Sequence, residues 1–152
     1  MNISAKSDYA VRAMLVLASD PGDHPVKGET LAAAQQIPVK FLENILMDLR
    51  RAGLVMSQRG AEGGYRLGRA PNTITIADVI RAVDGPLANV RGVRPESAGY
   101  EGPAESLRDV WVAMRAALRS VLERVTLADV AKGALPAHVR KALADPDAWE
   151  PH

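Results

Sequence analysis

The spacing of apolar positions changes repeatedly along the chain, and each change marks an element. In residues 4–19, Ala10, Val11, Met14, Leu15, Leu17 and Ala18 form a broad apolar stripe at helical spacing. Ser4 can cap this helix, and Lys6, Ser7, Tyr9 and Arg12 leave a polar edge. Asp20, Pro21, Gly22 and Asp23 predict a turn. Glu29 to Gln36 reads as a short second helix in which Leu31, Ala32 and Ala33 permit close packing. Ile37 and Pro38 turn the chain into a third helix, a position proline tolerates. There Leu42, Ile45, Leu46 and Leu49 fall at i, i+3, i+4 and i+7, so one face points into a core. Lys40, Glu43, Asn44, Asp48, Arg50 and Arg51 stand on the other faces. Gly53 ends the helix. Leu54 to Arg59 and Tyr65 to Leu67 can be extended, with Gly60, Gly63 and Gly64 in the tip between them. Two short helices and a basic-edged hairpin predict a winged helix-turn-helix.

Beyond the hairpin, residues 69–72 form a loop and Thr75-Ile76-Ala77-Asp78 opens a helix through Val83. Ile76, Val79, Ile80 and Val83 carry its apolar face, and Gly85-Pro86 ends it. Residues 91–103 have no period and predict a long exposed loop. A long helix is expected from about Ala104 to Val125, because Leu107, Trp111, Met114, Leu118, Val121 and Val125 alternate steps of four and three. Val110, Ala117 and Leu122 add a second row, so one row can meet the parent domain and the other a twin helix. Thr126-Leu127-Ala128-Asp129 caps a further short helix ending near Gly133, and the tail holds one weak helical stretch before fraying. The expected fold is mainly α with a small β-hairpin wing: a winged helix-turn-helix over 1–85, a loop and dimerisation helix over 86–133, and a C-terminal tail over 134–152.

Composition narrows the function. With 152 residues the chain can bury a real core, and a net charge of +1 neither demands nor excludes a polyanion. The local balance says more: between Pro38 and Ala70 there are six basic residues and three acidic ones. No apolar run approaches the roughly 20 residues of a membrane span. The opening MNISAKSDYA does not resemble a secretory leader, so a cytoplasmic location and no membrane partner are expected. There is no cysteine, which excludes disulfides, thiolate metal sites and a cysteine nucleophile. His24, His138 and His152 lack ligand spacing, so no metal site is expected. The wing glycines lack a following Gly-Lys-Ser/Thr and do not form a P-loop. No nucleophile, base and oxyanion set can be assembled, so an enzyme is not expected.

Lys40, Glu43 and Asn44 carry the chemistry of base reading. Lysine donates to guanine, glutamate accepts from cytosine N4, and asparagine pairs bidentately with adenine. They sit near the amino end of the third helix, where helix-turn-helix proteins contact bases. The alternative is a solvated helix face. Glu43 separates the two, since a carboxylate repels phosphate and gains only by touching a base. Arg50, Arg51 and Arg66 are assigned to phosphates.

The runs FLENIL, LRRAGLV, RGAEGGYRLGR, ITIADVIRAVDGP, LRDVW and LERVTLADV resemble the Rrf-two family of bacterial winged helix-turn-helix transcriptional regulators, over about residues 1 to 133. The resemblance implies a homodimer joined through the long helix, bound to near-palindromic double-stranded DNA and most often acting as a repressor. It implies that Arg59 enters a minor groove and that Ser4, Lys6 and Tyr9 touch the DNA backbone. Many members of that family hold an iron–sulfur cluster through three cysteines in the loop before the dimer helix. Here that loop has none, and Asp8, at the position of a non-cysteine ligand in some members, cannot hold a cluster alone. A cysteine-free branch without a cofactor is therefore expected, answering to a small-molecule or protein effector. In an alternative reading, the 91–103 loop, Trp111 and the tail form a site for that effector.

Overall fold

A computed structural model describes residues 2–20 and 24–152. The expected turn at 20–23 falls largely on residues 21–23, outside the described residues. The elements are α1 (Ala5–Ser19), α2 (Gly28–Gln35), α3 (Val39–Arg51), β1 (Val55–Gln58), β2 (Gly64–Leu67), α4 (Ile76–Asp84), α5 (Leu107–Leu122), α6 (Leu127–Ala131) and α7 (Ala137–Leu143). Short 3-10 turns stand at Pro71–Thr73, Pro95–Ser97, Gly102–Ala104 and Pro146–Trp149. The fold is mainly helical with one two-stranded antiparallel sheet. No helix among the described residues is long and apolar enough to cross a membrane.

The head is built on α1. Ala10 and Ala13 are fully buried, and their small side chains let neighbouring helices approach closely. Met14, Leu31, Leu42, Ile45, Leu49, Val55, Ile74, Val79 and Leu127 fill the centre. The inward row of α3 is the one its spacing predicts. Polar bonds fix the rim: Ser4 Oγ accepts the Ser7 amide at 2.9 Å and caps α1. Ser4 also donates to Asp84 on α4, as does the buried Ser7 hydroxyl at 2.6 Å. Lys6 Nζ reaches Asp48 of α3 at 2.7 Å and the Val83 carbonyl of α4 at 3.0 Å, so one ammonium ties three helices.

The segments around Thr75 and Thr126 face each other antiparallel. Ile76 N donates to Val125 O, and Leu127 N to Ile74 O, each at 2.9 Å. Each segment then opens a helix with a reciprocal capping box, Thr75 with Asp78 and Thr126 with Asp129. The chain that leaves the head after α4 is thus brought back to it before α6.

This return corrects the expected end of the long helix. α5 stops at Leu122, and Val125 is buried in the head with its carbonyl bonded to Ile76, so it belongs to no helix seam. The head accordingly takes in residues around 125–131 as well as those before Gly85. The 91–103 loop is mostly exposed, as its lack of period predicts, but it is anchored at several points. Pro95 and Ala98 are buried, Val90 and Val93 bridge, and Trp111 Nε1 donates to Tyr100 Oη at 3.0 Å. Prolines that preset backbone angles in two tight turns order it, a device without hydrophobic period. The tail does not simply fray: after α7, Trp149 Nε1 donates to the Leu143 carbonyl at 2.8 Å and closes the last turn.

Leu127→Ala should lower the unfolding free energy by about 2–5 kcal/mol in urea denaturation. A loss under about 1 kcal/mol would mean that the returning segment adds nothing to the core.

Candidate nucleic-acid interface

α3 has two rows at the same spacing. Its inner row, Leu42, Ile45, Leu46 and Leu49, is buried, which leaves Lys40, Glu43, Asn44 and Met47 as the outer row, three, four and seven residues along from the first. The side chains of Lys40, Glu43 and Asn44 are exposed and make no hydrogen bond or salt bridge with another described residue. Their donors and acceptors are therefore free for an outside partner. Met47, 45% exposed, had been missed, although it continues the row. A methionine there offers an apolar contact of the kind that meets a thymine methyl.

The wing stands beside α3. Its strands pair Val55 with Leu67, Met56 with Arg66, Ser57 with Tyr65 and Gln58 with Gly64. Val26, ahead of α2, exchanges both backbone bonds with Tyr65, at 2.8 and 2.7 Å, and so ties the hairpin to the helix-turn-helix. Close approach dictates the glycines here. A Cβ on Gly64 would stand 2.5 Å from the Val26 carbonyl oxygen, and one on Gly63 only 2.2 Å from that of Gln58.

Between α3 and the wing lies an open groove of about 380 Å³. Glu43 and Arg50 line it from α3, Lys27 from the lead-in to α2, and Ser57, Gln58 and Arg59 from the wing. Arg50 donates to Ser57 Oγ at 3.3 Å, and Arg66 to Gln58 Oε1 at 3.2 Å. Arg51 lies 3.8 Å from Asp48 on its own helix. Arg59 makes no side-chain hydrogen bond or salt bridge with another described residue and is exposed near the hairpin tip. Lys27 and Gln58 had not been singled out, because only the folding of the wing onto α2 and α3 places them here.

The α1 residues are placed differently. Ser4 and Lys6 have their polar atoms engaged inside the head. Tyr9 is half-buried, its ring edge-on to Phe41 at 5.5 Å and its face covered by the Arg12 guanidinium at 4.8 Å. Arg12 also pairs with Asp8 at 3.0 Å.

An amphipathic helix showing a polar row beside a basic hairpin is a DNA-reading arrangement. The family described as Rrf2, iron-dependent transcriptional regulator, matches residues 3–133. The chain belongs to the Rrf2 family. An HTH-type transcriptional regulator assigned in Mycobacterium tuberculosis is 54% identical over 150 residues, covering 99% of this chain and 93% of that protein. CymR of Bacillus subtilis is 38% identical over 131 residues, covering 86% of this chain and 90% of its own. The solved structure of B. subtilis CymR, the global cysteine regulator, matches with a TM-score of 0.74 at 38% identity, over 88% of this chain and 98% of that one. T. potens IscR matches with a TM-score of 0.70 at 35% identity, over 88% of each chain. This Rrf2 protein is thus a transcriptional regulator with a DNA-binding fold.

Proposed function

We propose that this regulator binds near-palindromic double-stranded DNA as a homodimer in the cytoplasm, acts as a repressor, and works without an iron–sulfur cluster. The outer row of α3 beside the basic wing carries the reading. Lys40, Glu43 and Asn44 take the base edges of a major groove, Arg59 takes the neighbouring minor groove, and Arg50, Arg51 and Arg66 take phosphates. Ser4, Lys6 and Tyr9 meet the DNA backbone from α1, Ser4 and Lys6 while also bracing the head and Tyr9 beside Phe41.

Homodimerisation is supported by α5. None of its sixteen residues is fully buried, and Val110 is 55% and Val121 40% exposed. Leu107, Trp111, Met114 and Leu118 are half-buried along the same helix. An apolar helix face of this kind gains roughly 1.5–3 kcal/mol for each large side chain a twin covers. Two heads on one duplex then meet half-sites about one helical turn apart.

The donor chemistry does not suit an iron–sulfur cluster. The chain has no cysteine, and among the described residues no group of three or more histidines, aspartates or glutamates could hold a metal. Asp8 is occupied by Arg12. A second reading, an effector site formed by the 91–103 loop and α5, is favoured by the bonds that join them, Trp111 to Tyr100 and Arg115 to Glu96.

Glu43→Ala should relax discrimination between variant operators more than it weakens overall affinity; titrating a set of single-base variants checks this, and equal weakening on all of them refutes it. Arg59→Ala should lower affinity and reduce the slope of log affinity against log salt by about one unit if its guanidinium meets a phosphate. An unchanged slope with weakened binding would assign it to groove shape alone. Val110→Asp with Val121→Asp should convert a dimer to a monomer in light scattering while leaving the head folded; a dimer that persists would move the interface off α5.

A further inference from the structure

A second groove, of about 530 Å³, lies on the side of the molecule formed by α4, the 85–96 loop and α5. Arg81 lines it from α4, Arg94 and Glu96 from the loop, and Arg115 and Arg119 from α5. Arg115 pairs with Glu96. Glu123 Oε1 accepts from Arg81 and, at 3.0 Å, from Arg119. The carboxyl of Glu96 is held below its ordinary range by a backbone hydrogen bond and then by Arg115, and that of Glu123 by Arg81 and then Arg119. Both are therefore fully ionised near neutral pH. Four guanidiniums consequently meet two carboxylates, leaving a surplus of two positive charges around one hollow.

We propose that this groove binds a small dianion, a dicarboxylate or a phosphate-bearing metabolite, and that occupancy alters the grip of the protein on DNA. The proposal rests on the reading of the chain as an effector-controlled regulator and gives the chemistry of the effector. Each guanidinium has five N–H donors in a planar fork that matches carboxylate and phosphate oxygens. The internal pairs use few of these donors, and the Arg94 side chain makes no hydrogen bond or salt bridge with a described residue. Pro86, Leu87 and Ala88 add an apolar wall beside the arginines. The volume lies within the roughly 300–1,000 Å³ of small-molecule sites.

The position of the groove gives the regulatory step. Arg81 sits on a helix of the head, whereas Arg115 and Arg119 sit on the helix assigned to dimerisation. Glu123 now bridges Arg81 and Arg119, while Arg115 pairs with Glu96. An anion that engages Arg81 together with Arg115 and Arg119 competes with Glu123 for Arg81 and Arg119, and with Glu96 for Arg115, and so resets the angle between head and α5. Such a ligand changes DNA affinity to the extent that it favours one head spacing over the other.

Isothermal titration of the full chain with succinate, inorganic phosphate and 3-phosphoglycerate, each at matched ionic strength in sodium chloride, tests the site. Saturable binding of at least one is expected, and which one binds separates carboxylate from phosphate recognition. Arg94→Ala should weaken it roughly tenfold, the value of one charge-assisted bond. Lys132→Ala, at an exposed lysine outside the groove, should leave it unchanged. Absence of saturable binding for all three, or equal affinity in Arg94→Ala, overturns the site. Weakened DNA binding by Arg94→Ala without any added anion overturns it too, since the arginines would then hold DNA. Binding that leaves affinity for a selected DNA sequence unchanged overturns the regulatory step. A chain that selects no sequence from random DNA refutes the regulator reading independently of the titration.

Discussion

Burial of one face of α3 against α1 is the constraint on which the rest depends. Leu42, Ile45, Leu46 and Leu49 can leave water together only if the helix presents a single rotational setting to Ala10, Ala13 and Met14. That setting turns Lys40, Glu43, Asn44 and Met47 outward as a row. The direction of that row is thus a by-product of core packing: these side chains need no contact of their own to be aimed. Lys6 locks the setting by joining Asp48 on α3 to the Val83 carbonyl on α4. Ser4 likewise ties the start of α1 to Asp84 of α4.

What could be read from the sequence follows from the range of the interactions. Regular periodicity gave α1, α3, α4 and the central part of α5, because apolar spacing within one helix is a local property. Both Thr-x-Ala-Asp caps were legible for the same reason, since the cap and its partner lie three residues apart. The end of α5 was not. Val125 continues the heptad in sequence, yet its carbonyl is claimed by Ile76, a residue far back in the chain. The 91–103 segment was legible as an exposed, aperiodic loop, but its anchors, the proline turns and the burials of Pro95 and Ala98, carry no period. In the interface, Lys40, Glu43 and Asn44 were visible as a helix face, and Arg59 through family resemblance. Lys27 and Gln58 were invisible, as only the pairing of Val26 with Tyr65 brings them beside α3.

The two faces of the molecule divide its chemistry. Toward the wing, unpaired donors and acceptors await a partner with its own pattern of polar edges. Toward α5, arginines are largely paired, and glutamates moderate them. The Glu123 carboxylate, shared between Arg81 and Arg119, holds two elements together. Apolar seams make permanent joints, whereas shared charges of this kind make adjustable ones.

The facing segments at Thr75 and Thr126 have one more consequence. They bring the start of α4 beside the start of α6, so residues 76–125 form a stretch of chain closed at its base. Loop-closure cost grows only slowly with loop length, so a change of length between α4 and the return at Val125 costs little at the two anchor points. The architecture therefore works as a clasp: one short backbone pairing fixes where two capped helices begin, however far apart they stand in the sequence.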